Sequence, residues 1–216
     1  MSDGYYAHRE HMPFVVLLLA GAIVAAFLLT GQYDLRTVSQ LAVDYGIIPV
    51  RYDASGPAPY PNIGDAIAPL FTHVFVHGGV FHILMNLLAY FQAAPFLARR
   101  MGGARFLVLF FLAVIGGAIG YILIDLHSEQ PAVGASGAIC GVFGAYFLAV
   151  RPTPQAALAD PQVRNAMLSF LGINVVLMAF LNLPIAWQAH LGGFITGGVC
   201  YLLLKPRAQP ARGPWG

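Results

Sequence analysis

The chain has 216 residues, of which 58% are hydrophobic and only 9% are charged, and its mean hydropathy is +0.71. Because so few charged side chains cannot cover a water-soluble domain of this size, the composition excludes a soluble protein and predicts an integral membrane protein. The net charge of +2 says little about partners, since the distribution of charge in a membrane protein matters more than its sum, and we expect no nucleic-acid partner.

Six apolar stretches predict six membrane-spanning helices. They cover residues 13–30, 80–98, 106–124, 136–150, 166–183 and 188–204. If the N-terminus lies inside, nine of the 11 Lys and Arg residues fall on the inner side, and only Arg36 and Arg51 fall outside. This bias predicts one membrane domain at 13–204 between cytoplasmic tails at 1–12 and 205–216. No small-residue cleavage site follows the first span, so we do not expect a cleaved signal.

The segment between the first two spans, residues 31–79, is too long to be a plain connection. Near its start, apolar residues recur at helical spacing, which predicts a helix lying flat in the membrane interface. These residues are Leu35, Val38, Leu41, Ala42 and Tyr45. Four prolines and a glycine between positions 49 and 61 predict irregular chain after this helix.

A histidine-rich stretch leads into the second span. The spacings of four and five residues between His73, His77 and His82 are compatible with a metal site. However, no cysteine or carboxylate joins them and two glycines interrupt the helical spacing, so we expect no metal. His82 and Asn86 are four residues apart and therefore share one helix face, about 25 and 20 Å above the inner surface when counted from Arg99.

A Gly-Ala-Ser-Gly turn at 134–137 opens the fourth span, and a serine at a helix start is usually a cap. Ser136, however, lies 15 residues before Arg151, and so about 22 Å above the inner surface of a hydrocarbon core about 30 Å thick. His190 in the last span lies 15 residues before Lys205 and arrives at the same depth. A hydroxyl at that depth, preceded by non-helical chain, must face protein or trapped water rather than lipid.

Glycines on the fourth and sixth spans offer a way for these two side chains to meet. A Gly-xxx-Gly pair stands at 137–141 on the fourth span and another at 193–197 on the sixth. Such flat faces let helices pack backbone to backbone. Contact between the two faces would bring Ser136 and His190 into hydrogen-bond range.

Polar side chains at membrane depth are functional candidates by default. Four converge at one level, namely Ser136, His190, His82 and Asn86. A serine beside a histidine is the minimal pair for nucleophilic acyl transfer, because the imidazole takes the hydroxyl proton and returns it to the leaving amine. No carboxylate lies within the spans at this level, so the pair would be a dyad. His82 and Asn86 can donate hydrogen bonds to an oxyanion that forms in a dry site.

The ordered motifs Gly-x-Ser-Gly, His-xxx-Asn and Ala-His-xx-Gly resemble those of the rhomboid intramembrane serine proteases. The resemblance runs from about residue 69 to 204, and residues 71–86 are especially similar to bacterial members. It implies an all-α, six-transmembrane-helix rhomboid-like bundle with a half-submerged first loop. It also implies a multi-pass protein of the bacterial inner membrane with both termini in the cytoplasm.

The resemblance implies a role for each candidate residue. Ser136 would be the nucleophile and His190 the general base, while His82, Asn86 and the Ser136 backbone amide would form the oxyanion hole. Three supporting glycines complete the implied site: Gly134, Gly137 and Gly193. The fifth span and a cap at 184–187 would move to admit single-span membrane-protein substrates from the lipid bilayer. No cofactor or metal is implied.

The sequence departs from the family pattern at three places and leaves two other functions open. The first loop lacks the Trp-Arg pair, Ala98 stands where an acidic residue is frequent, and Cys140 replaces an aromatic residue four positions after the serine. A catalytically silent relative that binds or escorts membrane proteins is the first alternative, although Ser136 and His190 are both retained. A small transporter or channel is the second, although no inverted repeat is visible.

Overall fold

The computed structural model describes residues 11–180 and 186–206, with residues 171 and 173–180 described as backbone only. Parts of three predicted features lie outside the described residues: the tails at 1–10 and 207–216, the end of the fifth span at 181–183, and the first half of the cap at 184–185. The described residues are mainly helical, which is consistent with the all-α class and the integral-membrane class predicted from the sequence.

The described part of the chain forms ten α-helices and two 3-10 turns. The helices are α1 (Phe14–Leu29), α2 (Leu35–Tyr45), α3 (Ile63–Ile67), α4 (Pro69–Thr72), α5 (Val80–Met101), α6 (Gly103–Ile124), α7 (Ser136–Ala149), α8 (Pro154–Ala159), α9 (Pro161–Phe180) and α10 (Trp187–Leu204). The 3-10 turns are Pro49–Tyr52 and His73–Phe75. Within the described residues no β-strand forms, and an isolated bridge joins Ile47 to Ala132. The all-α prediction is confirmed.

Two of these helices, α5 and α6, are long and apolar enough to cross a membrane by length and composition. Each has 22 residues, and their mean hydropathies are 1.5 and 2.7. The apolar helices α1 and α7 are shorter, with 16 and 14 residues. The number of spans predicted from the sequence, six, therefore remains a prediction.

Three helix ends differ from the predicted ends for local reasons. Helix α5 continues to Met101 and α6 begins at Gly103, because the intervening Gly102 has a φ of 82° and so makes the break on its own. Helix α9 begins at Pro161 rather than at 166, because the Asp160 carboxylate accepts the Gln162 amide at 2.8 Å. Four of the basic residues predicted to flank the spans therefore lie inside helices, namely Arg99, Arg100, Arg105 and Arg164.

Helix α10 lies between α6 and α7, and glycines bring the three backbones together. A Cβ on Gly120 of α6 would lie 2.8 Å from the Gln188 carbonyl oxygen, and a Cβ on Gly197 would overlap the Gly141 backbone of α7. The contact predicted between the two Gly-xxx-Gly faces is therefore confirmed. Because no side chain separates the helices, residues on α7 and α10 are held at a fixed spacing.

The rest of the core lies where α1, α5 and α6 meet. Its largest fully buried side chains include Tyr90, Leu97, Phe106 and Phe110. The Tyr90 hydroxyl donates to the Val16 carbonyl at 3.3 Å and so ties α5 to α1. Large apolar side chains on the outward faces of these helices are exposed, a surface suited to lipid rather than to water.

The long outer segment packs against the loop that precedes α7. The predicted helix forms as α2, and the Asp34 carboxylate caps it by accepting the Thr37 amide at 2.9 Å. Farther along, Ile47 and Ala132 exchange backbone hydrogen bonds of 2.9 and 2.8 Å. The outer segment therefore braces the loop that leads to Ser136.

Candidate active site

The turn before α7 holds Ser136 in an unusual backbone setting. Ser136 is the first residue of the helix, and the preceding Ala135 is the N-cap without a side-chain bond. The serine hydroxyl is therefore not a cap, contrary to the usual role of serine at a helix start. Gly134 has a φ of 110°, where a side chain would be strained, and a Cβ there would lie 2.7 Å from Cε1 of His82.

Ser136 and His190 meet across the α7–α10 contact. The Ser136 Oγ and the His190 Nε2 are 2.9 Å apart, which is within hydrogen-bond range. When the hydroxyl donates, Nε2 carries the lone pair and the imidazole proton lies on Nδ1. Among the described residues, no group accepts a hydrogen bond from this buried Nδ1. The ring is therefore oriented by packing and by the serine itself.

The α7–α10 spacing at this level depends on two of the predicted glycines. A Cβ on Gly193 would overlap the Gly137 carbonyl oxygen and lie 2.7 Å from the Gly137 carbonyl carbon. Gly137 in turn faces the Ala189 carbonyl oxygen, 3.3 Å from the position of a Cβ. These backbone contacts set the distance over which Ser136 and His190 reach each other.

His82 lies against the same turn, in the first turn of α5. Its Nδ1 accepts the Gly78 backbone N–H at 3.1 Å, so the neutral ring carries its proton on Nε2. A Cβ on Gly134 would lie 2.8 Å from this Nε2, which places the N–H donor of His82 beside the turn that holds Ser136.

Asn86 lies one turn farther along α5 and is buried. Its Nδ2 donates to the carbonyl oxygen of His82 at 2.9 Å, so one of its two amide hydrogens is used within its own helix. Its Oδ1 is buried without a hydrogen-bond partner in the described part of the chain. The second amide hydrogen is not committed to any described acceptor.

The sequence reasoning missed two residues that support the site. His77, considered there only as a metal ligand, is fully buried, and its Nε2 accepts the Ala135 N–H at 3.4 Å. Gln32, just after the predicted first span, is 1% exposed and accepts the His77 backbone N–H at 2.7 Å. The sequence signal for both residues was a polar side chain next to an apolar span. Because their hydrogen-bond partners are distant in the sequence, this signal did not identify the contacts.

The electrostatics of the site favour negative charge near Ser136. The first turn of α7 leaves backbone N–H groups without intrahelical acceptors, and they carry the positive end of the helix dipole.

Over the residues that the structure describes, no three His, Cys, Asp or Glu side chains are grouped as metal ligands.

A cavity of about 220 Å³, lined by both polar and apolar side chains, lies beside the start of α10. Its lining includes Tyr121, Asp125, Ser128 and Gln188. The Gln188 side chain donates to the Asp125 carboxylate at 3.4 Å, and the Tyr121 hydroxyl lies 3.0 Å from the Ser128 hydroxyl. Such polar groups around a space between two loops suit ordered water.

Residues 65–207 match the family model of the Rhomboid domain. The chain is 38% identical over 136 residues to the putative rhomboid protease YdcA of Bacillus subtilis, covering 61% of this chain and 66% of that one. It is 30% identical over 135 residues to the rhomboid protease GluP of the same organism (59% and 24%). It is 27% identical over 182 residues to the rhomboid protease GlpG of Yersinia pestis (84% and 58%). The chain thus spans less than two thirds of the length of each relative.

Proposed function

This chain belongs to the rhomboid family, and on that premise we propose that it is an intramembrane serine endopeptidase that cuts membrane-protein segments. In this proposal Ser136 is the nucleophile and His190 is the general base. The observation that carries the proposal is the 2.9 Å contact between Ser136 Oγ and His190 Nε2. A hydroxyl aimed at an imidazole lone pair is the arrangement that activates serine for acyl transfer.

Peptide hydrolysis at this pair proceeds in two halves. His190 Nε2 takes the Ser136 proton as Oγ bonds to the scissile carbonyl carbon, and it then gives that proton to the leaving amine. The result is an ester on Ser136 and a free amine product. In the second half, His190 takes a proton from water as the water oxygen attacks the ester. The proton returns to Ser136 Oγ, and the carboxylic acid product leaves.

The negative oxygen of each tetrahedral intermediate needs donors that are already in place. We assign this role to the Nε2–H of His82, the backbone N–H of Ser136 and the second amide hydrogen of Asn86. The Gly78 N–H supports the assignment for His82, because it occupies Nδ1 and leaves Nε2–H as the donor. Loss of one such donor typically costs about 100- to 1000-fold in kcat.

The proposed membrane arrangement follows the sequence prediction. Six spans in a membrane domain at 13–204 would lie between cytoplasmic tails at 1–12 and 205–216, in a bacterial inner membrane.

The outer segment with α2 would be half submerged, and the substrate would be a single-span protein that enters beside α9. On this route the aromatic contact that holds α9 against α7, in which Phe170 stacks on Phe143 at 4.3 Å, would have to open. The cavity beside α10 would hold water for the second half of the reaction.

Active-site labelling tests the proposed dyad. The solubilised protein is treated with a fluorophosphonate, with wild type beside Ser136→Ala and His190→Ala, and folding of all three is checked by thermal unfolding. We expect wild type alone to be labelled and to cleave a reconstituted single-span substrate. Folded wild type that neither labels nor cleaves would instead favour a catalytically silent rhomboid relative.

A further inference from the structure

His77 is a buried polar residue that the proposed reaction does not use. Its side chain is fully buried, in the segment between the His73–Phe75 turn and α5. Its Nε2 accepts the N–H of Ala135, the residue directly before the proposed nucleophile and 58 positions away in the chain. A buried imidazole that bonds a distant backbone amide has a defined target, which ordinary core packing does not require.

The contact with Ala135 fixes the protonation of the His77 ring. An N–H donor can approach Nε2 only when that nitrogen carries a lone pair, so the neutral ring must carry its proton on Nδ1. Within the described residues, His77 Nδ1 has no hydrogen-bond partner. The side-chain hydrogen bond described for this ring therefore joins it to the turn before Ser136.

The same ring also touches the other wall of the proposed oxyanion hole. The His77 and His82 rings pack edge to face, with centroids 5.2 Å apart and planes at 62°. The next residue, Gly78, donates its N–H to His82 Nδ1. Positions 77 and 78 thus contact both the turn that carries the Ser136 amide and the ring that carries the His82 donor.

The backbone of His77 is itself held in place from a third direction. Its N–H donates to the Gln32 Oε1 at 2.7 Å, while the Gln32 Nε2 donates to the Phe75 carbonyl at 3.0 Å. Gln32 is 1% exposed and lies just after α1. The His77 ring is therefore fixed at both its backbone and its side chain, which suits a part that sets geometry.

We propose that His77 is a positioning residue that fixes the Ser136 turn and the His82 ring relative to each other. The proposal rests on the proposed protease function of this site. Because the two oxyanion donors belong to α5 and to the start of α7, their spacing depends on what bridges them. His77 would act on the transition state through that spacing and would leave substrate binding largely unchanged.

Two amide variants that differ only in reach test this role. His77→Gln can place an acceptor near the position of Nε2, whereas His77→Asn is one methylene shorter and cannot. We expect His77→Gln to keep at least a third of the wild-type kcat and His77→Asn to lose at least 10-fold, both with KM within twofold. His77→Leu, which keeps bulk without an acceptor, should behave like His77→Asn.

A control variant separates positioning from general loss of stability. Tyr90→Phe removes another buried hydrogen bond, the one from Tyr90 to the Val16 carbonyl, in the core between α1 and α5. It should lower the unfolding temperature while kcat stays within twofold of wild type. Equal kcat in His77→Gln and His77→Asn, or losses that follow the unfolding temperature across all four variants, would overturn the positioning role.

A second measurement does not depend on protease activity. In uniformly nitrogen-15-labelled protein, the ring nitrogen shifts of His77 show which nitrogen carries the proton. We expect Nε2 to be the unprotonated nitrogen, and the Ala135 amide signal to move in His77→Leu but not in Tyr90→Phe. A protonated Nε2 or an unmoved Ala135 signal overturns the contact itself. Inactive wild type with the expected shifts would overturn the protease function and, with it, the catalytic purpose of the contact.

Discussion

Gly193 is the position at which one added methyl group should most disturb the proposed dyad. A Cβ there would lie 2.7 Å from the Gly137 carbonyl carbon, whereas ordinary contacts of a Cβ begin at 3.4 Å. Even without the overlap with the nearer Gly137 carbonyl oxygen, the carbon contact alone requires α10 to move from α7 by at least about 0.7 Å. A shift of this size along the contact would lengthen the 2.9 Å distance between Ser136 Oγ and His190 Nε2 to about 3.6 Å, beyond hydrogen-bond range.

The expected consequence is a large loss of serine reactivity in Gly193→Ala. Misplacement of a reacting group by about 1 Å can cost about 100-fold, so we expect the rate of fluorophosphonate labelling to fall roughly 10- to 100-fold. The matched control is Gly21→Ala in α1, where a Cβ has nothing within 4 Å. This control should label at the wild-type rate, since alanine is favoured over glycine in a helix by about 1 kcal/mol. Labelling of folded Gly193→Ala at the wild-type rate would show that the α7–α10 spacing does not control the reactivity of Ser136.

Three further substitutions test neighbouring parts of the structure. Gly134→Ala combines a φ of 110° with a clash against the His82 ring, so we expect a loss of about 1–3 kcal/mol in unfolding free energy and slower labelling; an unchanged labelling rate would contradict it. Phe170→Ala removes the stacking on Phe143, worth about 0.5–1.5 kcal/mol, and should lower the unfolding temperature while raising the cleavage rate of a lipid-embedded substrate; slower cleavage would count against entry beside α9. The hydrogen bond from the Arg151 side chain, and secondly the one from the Gln162 backbone amide, lower the pKa of Asp160 below the ordinary value of 3.8. The ionised carboxylate therefore stabilises the fold at pH values above 3.8. This stabilisation is lost as the pH falls through the lowered pKa of the folded state. Asp160→Asn should therefore lower the unfolding temperature at pH 7, and the difference from wild type should narrow in acid below about pH 3.8.

The sequence allowed the meeting of Ser136 and His190 to be predicted because both lie on helices that run in the same direction. Equal counts to the next basic residue along each helix predicted one depth for both residues, and the glycine faces indicated which helices touch. Regular helix geometry thus converts a residue count into a position. Their chemical roles stay proposals, because proximity alone does not show reactivity.

Other features depend on contacts that no local pattern reports. Ser136 is the first helical residue instead of the cap because Ala135 already has helical backbone angles, with φ of −76° and ψ of −2°. Gln32 bonds His77, which is 45 residues away, and His77 bonds Ala135, which is 58 residues away. The periodicity of a single sequence does not indicate which loops meet. The start of α9 at Pro161 depends on the Asp160 cap, a side-chain bond that hydropathy does not register.

Because no described group accepts a hydrogen bond from His190 Nδ1, we expect close packing to set the orientation of this ring. In a serine triad, a carboxylate holds the imidazole in the useful tautomer and stabilises its charged form. Here the glycine contacts between α7 and α10 hold the two helices at a fixed spacing, and in the proposed mechanism the first-turn amides of α7 with the His82 donor would face the charge that forms at the substrate oxygen. In the proposed mechanism, donors at that oxygen would favour the transfer of the Ser136 proton to His190. The reactivity of Ser136 should therefore depend on the spacing of three helices, α5, α7 and α10, more than on the basicity of His190 alone.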